Sequence, residues 1–274
     1  MEKIKLLALD MDGTTLRNDR TISDTDYNAI KKAIDSGIMV IPASGRNRHI
    51  LPKEIMELDI HYAITKNGSE IYDVKADKVI YHTEVDYSLA AEMMRYLETK
   101  NARVSCEHED QRYFSAHGLM NVEEILRNNH ISEDNVIENL GDFLEEKQWG
   151  VDKIGVLCYD DETLWEIMDK QKDYLDLNIM RTGQTYVEIN PRMASKGYCL
   201  KYLANMLGIS AENIAAVGDS DNDLIMLCYA GYSFAMTNGS RFARETAKEI
   251  TLSNEENGVA FAIEKILYRN RQLD

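Results

Sequence analysis

The feature that most constrains the fold is one plan repeated along the chain: a short apolar run that stops abruptly at polar residues or glycine. Ile4-Lys5-Leu6-Leu7-Ala8-Leu9 runs into Asp10-Met11-Asp12-Gly13. Ile38-Met39-Val40-Ile41 runs into Pro42-Ala43-Ser44-Gly45, and Tyr62-Ala63-Ile64 into Asn67-Gly68. Ile214-Ala215-Ala216-Val217 meets Gly218-Asp219, and Tyr232-Ser233-Phe234-Ala235-Met236 meets Asn238-Gly239. A run this short and uniformly apolar is expected of a strand buried on both faces. Helix-period segments lie between such runs at residues 27–36, 195–207 and 221–230. The expected fold class is therefore α/β, with strands and helices alternating around a parallel sheet. In such sheets ligands bind outside the carboxyl ends of the strands. Any one of these loops alone reads as a solvated turn; the repetition is what points to a site.

From about residue 85 to 185 the texture changes. Helix-like 87–99, strand-like pieces near Arg103 and Tyr113, helix-like 119–128, a strand at 154–159 and a helix at 162–174 follow one another, and none of the strands ends in a matching reactive loop. This stretch is expected to be an inserted second domain, 85–185, within a core made of 1–84 and 186–274. A length of 274 residues suits a core carrying an insertion. Residues 258–268 read as a closing helix. No internal repeat or low-complexity run is present, and the Met93-Met94 pair, Trp149 and Trp165 read as packing residues.

The chain has 47 acidic and 31 basic residues, a net charge of -16, and no Lys/Arg block. Nucleic acid and anionic membrane are therefore not expected partners. A small anion is not excluded, because screening over roughly 8 Å at physiological salt leaves local cations in control. The four cysteines, Cys106, Cys158, Cys199 and Cys228, are far apart and form no CxxC pair. They read as free thiols of a cytoplasmic protein, not as a zinc site or disulfide framework. The first apolar run is cut by Asp10 and Asp12, far short of a membrane span, and no targeting signal follows it.

The loops carry the chemistry. Asp10 and Asp12 are two apart, so their carboxylates leave the same side if the extended backbone continues to Asp12; Gly13 permits a sharp exit. A carboxylate of ordinary pKa is ionised at neutral pH, so Asp10 can attack phosphorus without a base. Asp12 can then protonate the leaving alkoxide and later deprotonate water. Acids meeting a phosphate need a counter-charge, which a hard divalent cation supplies. Asp219, in Gly218-Asp219-Ser220-Asp221-Asn222-Asp223, is the expected further ligand, with Asp223 as another; the plainer reading of that loop is an N-cap cluster. A calcium loop fits less well, lacking the glycine and glutamate spacing. Ser44, with the N–H groups of Ser44 and Gly45, offers donors to phosphoryl oxygens. Lys196 stands at a helix start, where the macrodipole favours an anion, and that misplacement suggests it neutralises acids and holds phosphate. Arg46, Arg48 and His49 follow the Ser-Gly turn and could reach a substrate, but three polar residues on a first helical turn are more often exposed, and no role is assigned to them.

Asp10-Met11-Asp12-Gly13-Thr14, Ser44-Gly45-Arg46, Lys196 and the Asp219–Asp223 loop, in this order, resemble the haloacid dehalogenase-like (HAD) hydrolases. Asn67-Gly68, the long insertion and the closing Asn257-Gly258-Val259 narrow the resemblance to the Cof-type branch, over essentially the whole chain. The resemblance implies a Rossmann-like core with an α/β cap, magnesium, and hydrolysis of phosphate monoesters of sugars or cofactors. It implies Asp10 as nucleophile, Asp12 as acid and base, Asp219 as a metal ligand aided by the Asp12 carbonyl, and Ser44, Lys196 and Asn222 as phosphate binders, with Met11 contributing a backbone N–H. Departures at Thr15, Thr237 and Gly239 touch no reactive group. A phosphomutase would share the aspartyl phosphate, and a non-catalytic sugar-phosphate-binding regulator would share the fold. A P-loop enzyme is excluded by the absence of Gly-x-x-x-x-Gly-Lys-Ser/Thr. The expected partner is a small phosphorylated metabolite.

Overall fold

The computed structural model describes residues 2–119 and 132–273. The chain opens with β1 (Leu6–Asp10), β2 (Met39–Ala43), β3 (Tyr62–Thr65), β4 (Glu70–Asp73) and β5 (Lys78–His82). It continues through β6 (Ala102–His108), β7 (Gln111–Ser115), β8 (Val136–Ile137), β9 (Lys153–Cys158), β10 (Leu177–Arg181) and β11 (Tyr186–Pro191), and ends with β12 (Ile214–Gly218), β13 (Tyr232–Ala235) and β14 (Glu249–Ile250). These strands form two sheets and divide the chain into two compact units, Met1–His82 with Met193–Asp274, and Thr83–Arg192.

The first unit holds an eight-stranded sheet in the order β14-β13-β12-β1-β2-β3-β4-β5. β1 runs parallel between β12 and β2, and every one of its residues is buried, as its unbroken apolar sequence requires. Successive side chains of β1 go to opposite faces. Leu7 and Leu9 join one core with Ile30, Ala33, Val259 and Ile263, and Leu6 and Ala8 join another with Leu200, Leu203 and Met226. Each fully buried leucine contributes about 2 kcal/mol. The strands from β14 to β3 are parallel, whereas β3, β4 and β5 are antiparallel, an edge hairpin that the alternating pattern did not announce. Helix Asp24–Asp35 starts on the Ser23 side chain, which accepts from the Asp26 N–H. The closing helix runs Gly258–Arg271.

The second unit holds a six-stranded sheet in the order β10-β11-β9-β6-β7-β8, antiparallel except for the β7–β8 pair. Alternation along each strand sends Val104, Cys106, Ile154, Val156, Val187 and Ile189 into a core with Ala91, Met93, Met94, Leu97, Leu140, Leu144, Leu164 and Ile167. The alternate positions carry Glu107, Arg112, Lys153 and Glu188, joined by ion pairs in which Lys153 reaches Glu188 at 3.4 Å and Glu107 at 3.6 Å. The insertion boundary expected at residue 185 therefore moves to 192: β11 pairs with both β9 and β10 and is interior to this sheet. Trp149 stacks on His108 at 4.4 Å, but Trp165 is 59% exposed and does not pack into a core. The helix expected at 119–128 lies, beyond Leu119, outside the described residues. Among the described residues no helix is long and apolar enough to cross a membrane.

Candidate active site

β1 and β12 pair with Leu9 opposite Val217, so the strand ends bring Asp10 beside Gly218 and the loop that follows it. The extended backbone stops at Asp10, and the condition for both carboxylates to share a side is not met. The chain turns at Met11, whose carbonyl accepts the N–H of Leu16 at 2.8 Å, while Thr15 Oγ1 donates to the Asp10 carbonyl at 2.6 Å. Gly13 has φ +84°, and a Cβ there would stand 2.7 Å from Asp219 Oδ2. Only glycine lets the first loop approach the Asp219 carboxylate this closely; Thr14 Oγ1 then donates to Asp219 Oδ1 at 2.9 Å.

Asp10 is 3% exposed, and its Oδ1 accepts from Lys196 Nζ at 2.6 Å. Lys196, itself 1% exposed, also donates to Asp223 Oδ1 at 2.7 Å. Asp223 Oδ2 accepts the N–H groups of Asp219 and Ser220 at 2.9 and 3.0 Å, which fixes the loop. Oxygens of Asp10, Asp219 and Asp223 lie within 4.8 Å of one another. Lys196 thus occupies a helix start because two buried carboxylates require it. Burial alone would lower its pKa, and Asp10 and Asp223 outweigh that and raise it, so the amine stays charged.

The carboxylates respond in the opposite sense. Burial pushes Asp10 well above the ordinary range; Lys196 opposes this, while Asp223 and Asp219 add to it. Burial followed by the Asp223 charge raises Asp219 as well. Three carboxyl groups here face one ammonium, so a further cation would offset the charge that burial penalises. Asp10 Oδ2 is buried and makes no hydrogen bond. An orphan carboxylate oxygen among oxygen donors fits a hard divalent cation. The residues present can hold one through Asp10, Asp219 and Asp223.

Asp12 stands apart from that cluster. Its side chain is 54% exposed and forked by Arg46, with Nε donating to Oδ2 at 2.8 Å and Nη2 to Oδ1 at 2.5 Å. The hydrogen bonds from Arg46 hold its carboxyl below the usual range against a smaller effect of burial. Both side-chain oxygens face the guanidinium, so the ligand expected of Asp12 remains its backbone carbonyl, as the resemblance implied.

Ser44 follows β2 where that strand pairs with the end of β1, Asp10 opposite Ala43. Its N–H donates to the Ile64 carbonyl at 2.9 Å and so belongs to the sheet; the expectation that it offers this N–H to a phosphate is overturned. Its Oγ accepts the N–H of Arg46 at 3.1 Å, leaving the hydroxyl proton as the donor. Gly45 lies against Asn67, where a Cβ would meet Oδ1 at 2.9 Å. Asn222 Nδ2 donates to Asn67 Oδ1 at 3.0 Å, and its own Oδ1 accepts from Ser220 Oγ at 2.8 Å. The Met11 side chain is buried in the core, so any ligand contact there is through its backbone.

Two residues central to this arrangement were not singled out from sequence. Arg46 read as exposed, yet its fork onto Asp12 ties the second loop to the first. Asn67, read as a strand-end loop residue and a family mark without a role of its own, joins Gly45 to Asn222. It sits within three consecutive left-handed residues, Lys66 at φ 51°, Asn67 at 57° and Gly68 at 95°. The available signal was Asn-Gly directly after a strand, a pair tolerant of that conformation.

An acid cluster with a buried lysine at the carboxyl ends of a parallel sheet is a ligand site of an α/β enzyme fold, and comparison with known proteins gives its family. Residues 7–263 match the haloacid dehalogenase-like hydrolase family, and the chain belongs to that family. It is a phosphatase of the superfamily. It is 31% identical to the Bacillus subtilis 5-amino-6-(5-phospho-D-ribitylamino)uracil phosphatase YwtE, over 96% of this chain and 98% of the relative. It is 32% identical to a second B. subtilis protein of the same description, YcsE, over 95% and 94%. Among solved structures it resembles a haloacid dehalogenase-like hydrolase from B. subtilis, with a TM-score of 0.80 and 27% identity, covering 95% of this chain and 99% of that one.

Proposed function

We propose that this protein is a magnesium-dependent phosphatase that passes the phosphoryl group of a small organic monoester to water through an aspartyl phosphate on Asp10. The observation that carries the reading is the Asp10 carboxylate itself: buried at a strand end, fixed through Oδ1 by Lys196, with Oδ2 unpartnered. Lys196 fixes the orientation of the carboxylate, whose two oxygens divide between a metal ion and the bond to phosphorus.

An Asp10 oxygen attacks phosphorus, the bond from phosphorus to the ester oxygen breaks, and the departing alkoxide takes a proton from Asp12. Water then gives a proton to Asp12 and its oxygen attacks phosphorus. The bond to Asp10 breaks, releasing inorganic phosphate and restoring the carboxylate. Lys196 and the Ser44 hydroxyl supply charge and a donor for the phosphoryl oxygens, with Asn222 and the N–H groups of Met11 and Gly45 as further donors. Magnesium, when bound by Asp10, Asp219 and Asp223, supplies charge neutralisation for the phosphoryl group and the surrounding acids.

The proposed substrate class is supported by two relatives, both named for a phosphorylated ribitylaminouracil. A phosphate ester of a polyol-bearing cytoplasmic metabolite is the reading they support, with the inserted unit Thr83–Arg192 selecting its organic portion. The test is phosphate release from a panel of phosphorylated metabolites by the wild type and Asp10→Asn. The wild type is expected to turn over polyol phosphates without a bisphosphate activator and the variant to be inactive with an unchanged thermal transition. Activity retained in Asp10→Asn would remove the nucleophile, and a requirement for bisphosphate would indicate a mutase.

A further inference from the structure

We infer that Arg46 is a positioning residue for the acid and base Asp12, acting through that carboxylate and not through the substrate. The inference rests on the phosphatase reading above and concerns the step in which water attacks the aspartyl phosphate. Asp12 lies past the end of β1, on a turn, with its side chain 54% exposed. A carboxylate in that position has free rotamers unless something fixes it, and a proton acceptor for a single water must be fixed to act.

Arg46 supplies the fixing. Its planar guanidinium meets both Asp12 oxygens, which sets the plane of the carboxylate as well as its distance. Arg46 is held in turn from three sides. Nη1 donates to the Ile50 carbonyl at 3.2 Å, its N–H donates to Ser44 Oγ at 3.1 Å, and its carbonyl accepts the Lys66 N–H at 2.9 Å. An ordinary surface ion pair joins two mobile side chains and contributes little. This one joins a residue tied at its backbone N–H and carbonyl and at side-chain Nη1 to the residue that must move a proton. The same contacts link Asp12 to Ser44, so the phosphate donor and the proton carrier are set by one arginine.

The test is a double-mutant cycle on turnover of an aryl phosphate, whose leaving group needs no protonation, with Arg46→Ala, Asp12→Ala and both together. Arg46→Ala is expected to lower kcat about tenfold or more with KM within twofold, and to add less than twofold in the Asp12→Ala background. Arg46→Lys, which keeps the charge without the fork, is expected to fall between wild type and Arg46→Ala, and it serves if the alanine variant does not fold. A rise in KM with kcat preserved would make Arg46 a substrate contact, and losses that multiply in the double variant would separate it from Asp12; either overturns the inference. Full activity in Asp12→Ala would remove Asp12 as the proton carrier and the inference with it, whereas absence of phosphate release from the wild type would sink the phosphatase reading beneath it.

Discussion

Lys196 shows how a single side chain can be read before its surroundings are known. A lysine at a helix start opposes the macrodipole, and in the structure two buried carboxylates account for it. Asp10 and Asp219 were legible because polar residues or glycine stand at the ends of several apolar strands, a repetition that an N-cap role for the Asp219 loop alone does not explain. Arg46 was not legible, because an arginine after a glycine turn is equally consistent with solvent, and its partner lies 34 residues away. Gly68 is a residue whose geometry leaves little latitude. Its φ is +95° and a Cβ would stand 2.2 Å from the Ser195 backbone carbon, next to Lys196. Gly68→Ala is expected to destabilise the protein by about 2–4 kcal/mol, from left-handed strain and overpacking together, and to lower kcat by displacing the lysine. Denaturant unfolding checks the first and steady-state kinetics the second; a variant within about 0.5 kcal/mol of wild type would show that the backbone yields there.

At the scale of elements, the parallel strands were legible because burial on both faces leaves an unbroken apolar run, as in β1 and β12. The β4–β5 hairpin was not, since β5 is an edge strand with no fully buried residue and carries no such signature. β11 was assigned to the wrong unit because Tyr186-Val187-Glu188-Ile189 alternates as any half-buried strand does, and alternation does not say which sheet it joins. The second sheet also yields an energetic prediction. Burial would raise Glu107, but Lys153 and Arg112 outweigh it and hold the carboxyl below its usual value. A depressed folded pKa means that its contribution is complete above the unfolded value of about 4.3 and is lost as pH falls through the lower folded value. Glu107→Gln, which leaves the two cations without that carboxylate, is expected to cost on the order of 3 kcal/mol at neutral pH. The difference from wild type is expected to shrink below about pH 4, and a pH-independent difference in urea unfolding would assign the loss to packing instead.

At the scale of the whole molecule, the chain is two units with separate cores, and among the described residues the acid cluster lies in Met1–His82 with Met193–Asp274. A net charge of -16 adds to the repulsion among those acids. Magnesium is therefore expected to raise the calorimetric transition of the first unit, by about 2.7 kcal/mol at a hundred times its dissociation constant, and to leave that of the second unit in place. Asp219→Asn is expected to lose most of the shift, and equal shifts with and without Asp219 would move the ion elsewhere. The covalent step can be read directly by mixing the magnesium-loaded enzyme with a radiolabelled phosphate monoester, quenching in acid within a turnover, and locating the label by peptide mapping. The account predicts acid-stable, hydroxylamine-labile label on the peptide containing Asp10; label on another residue, or turnover with no labelled protein at any quench time, would contradict it.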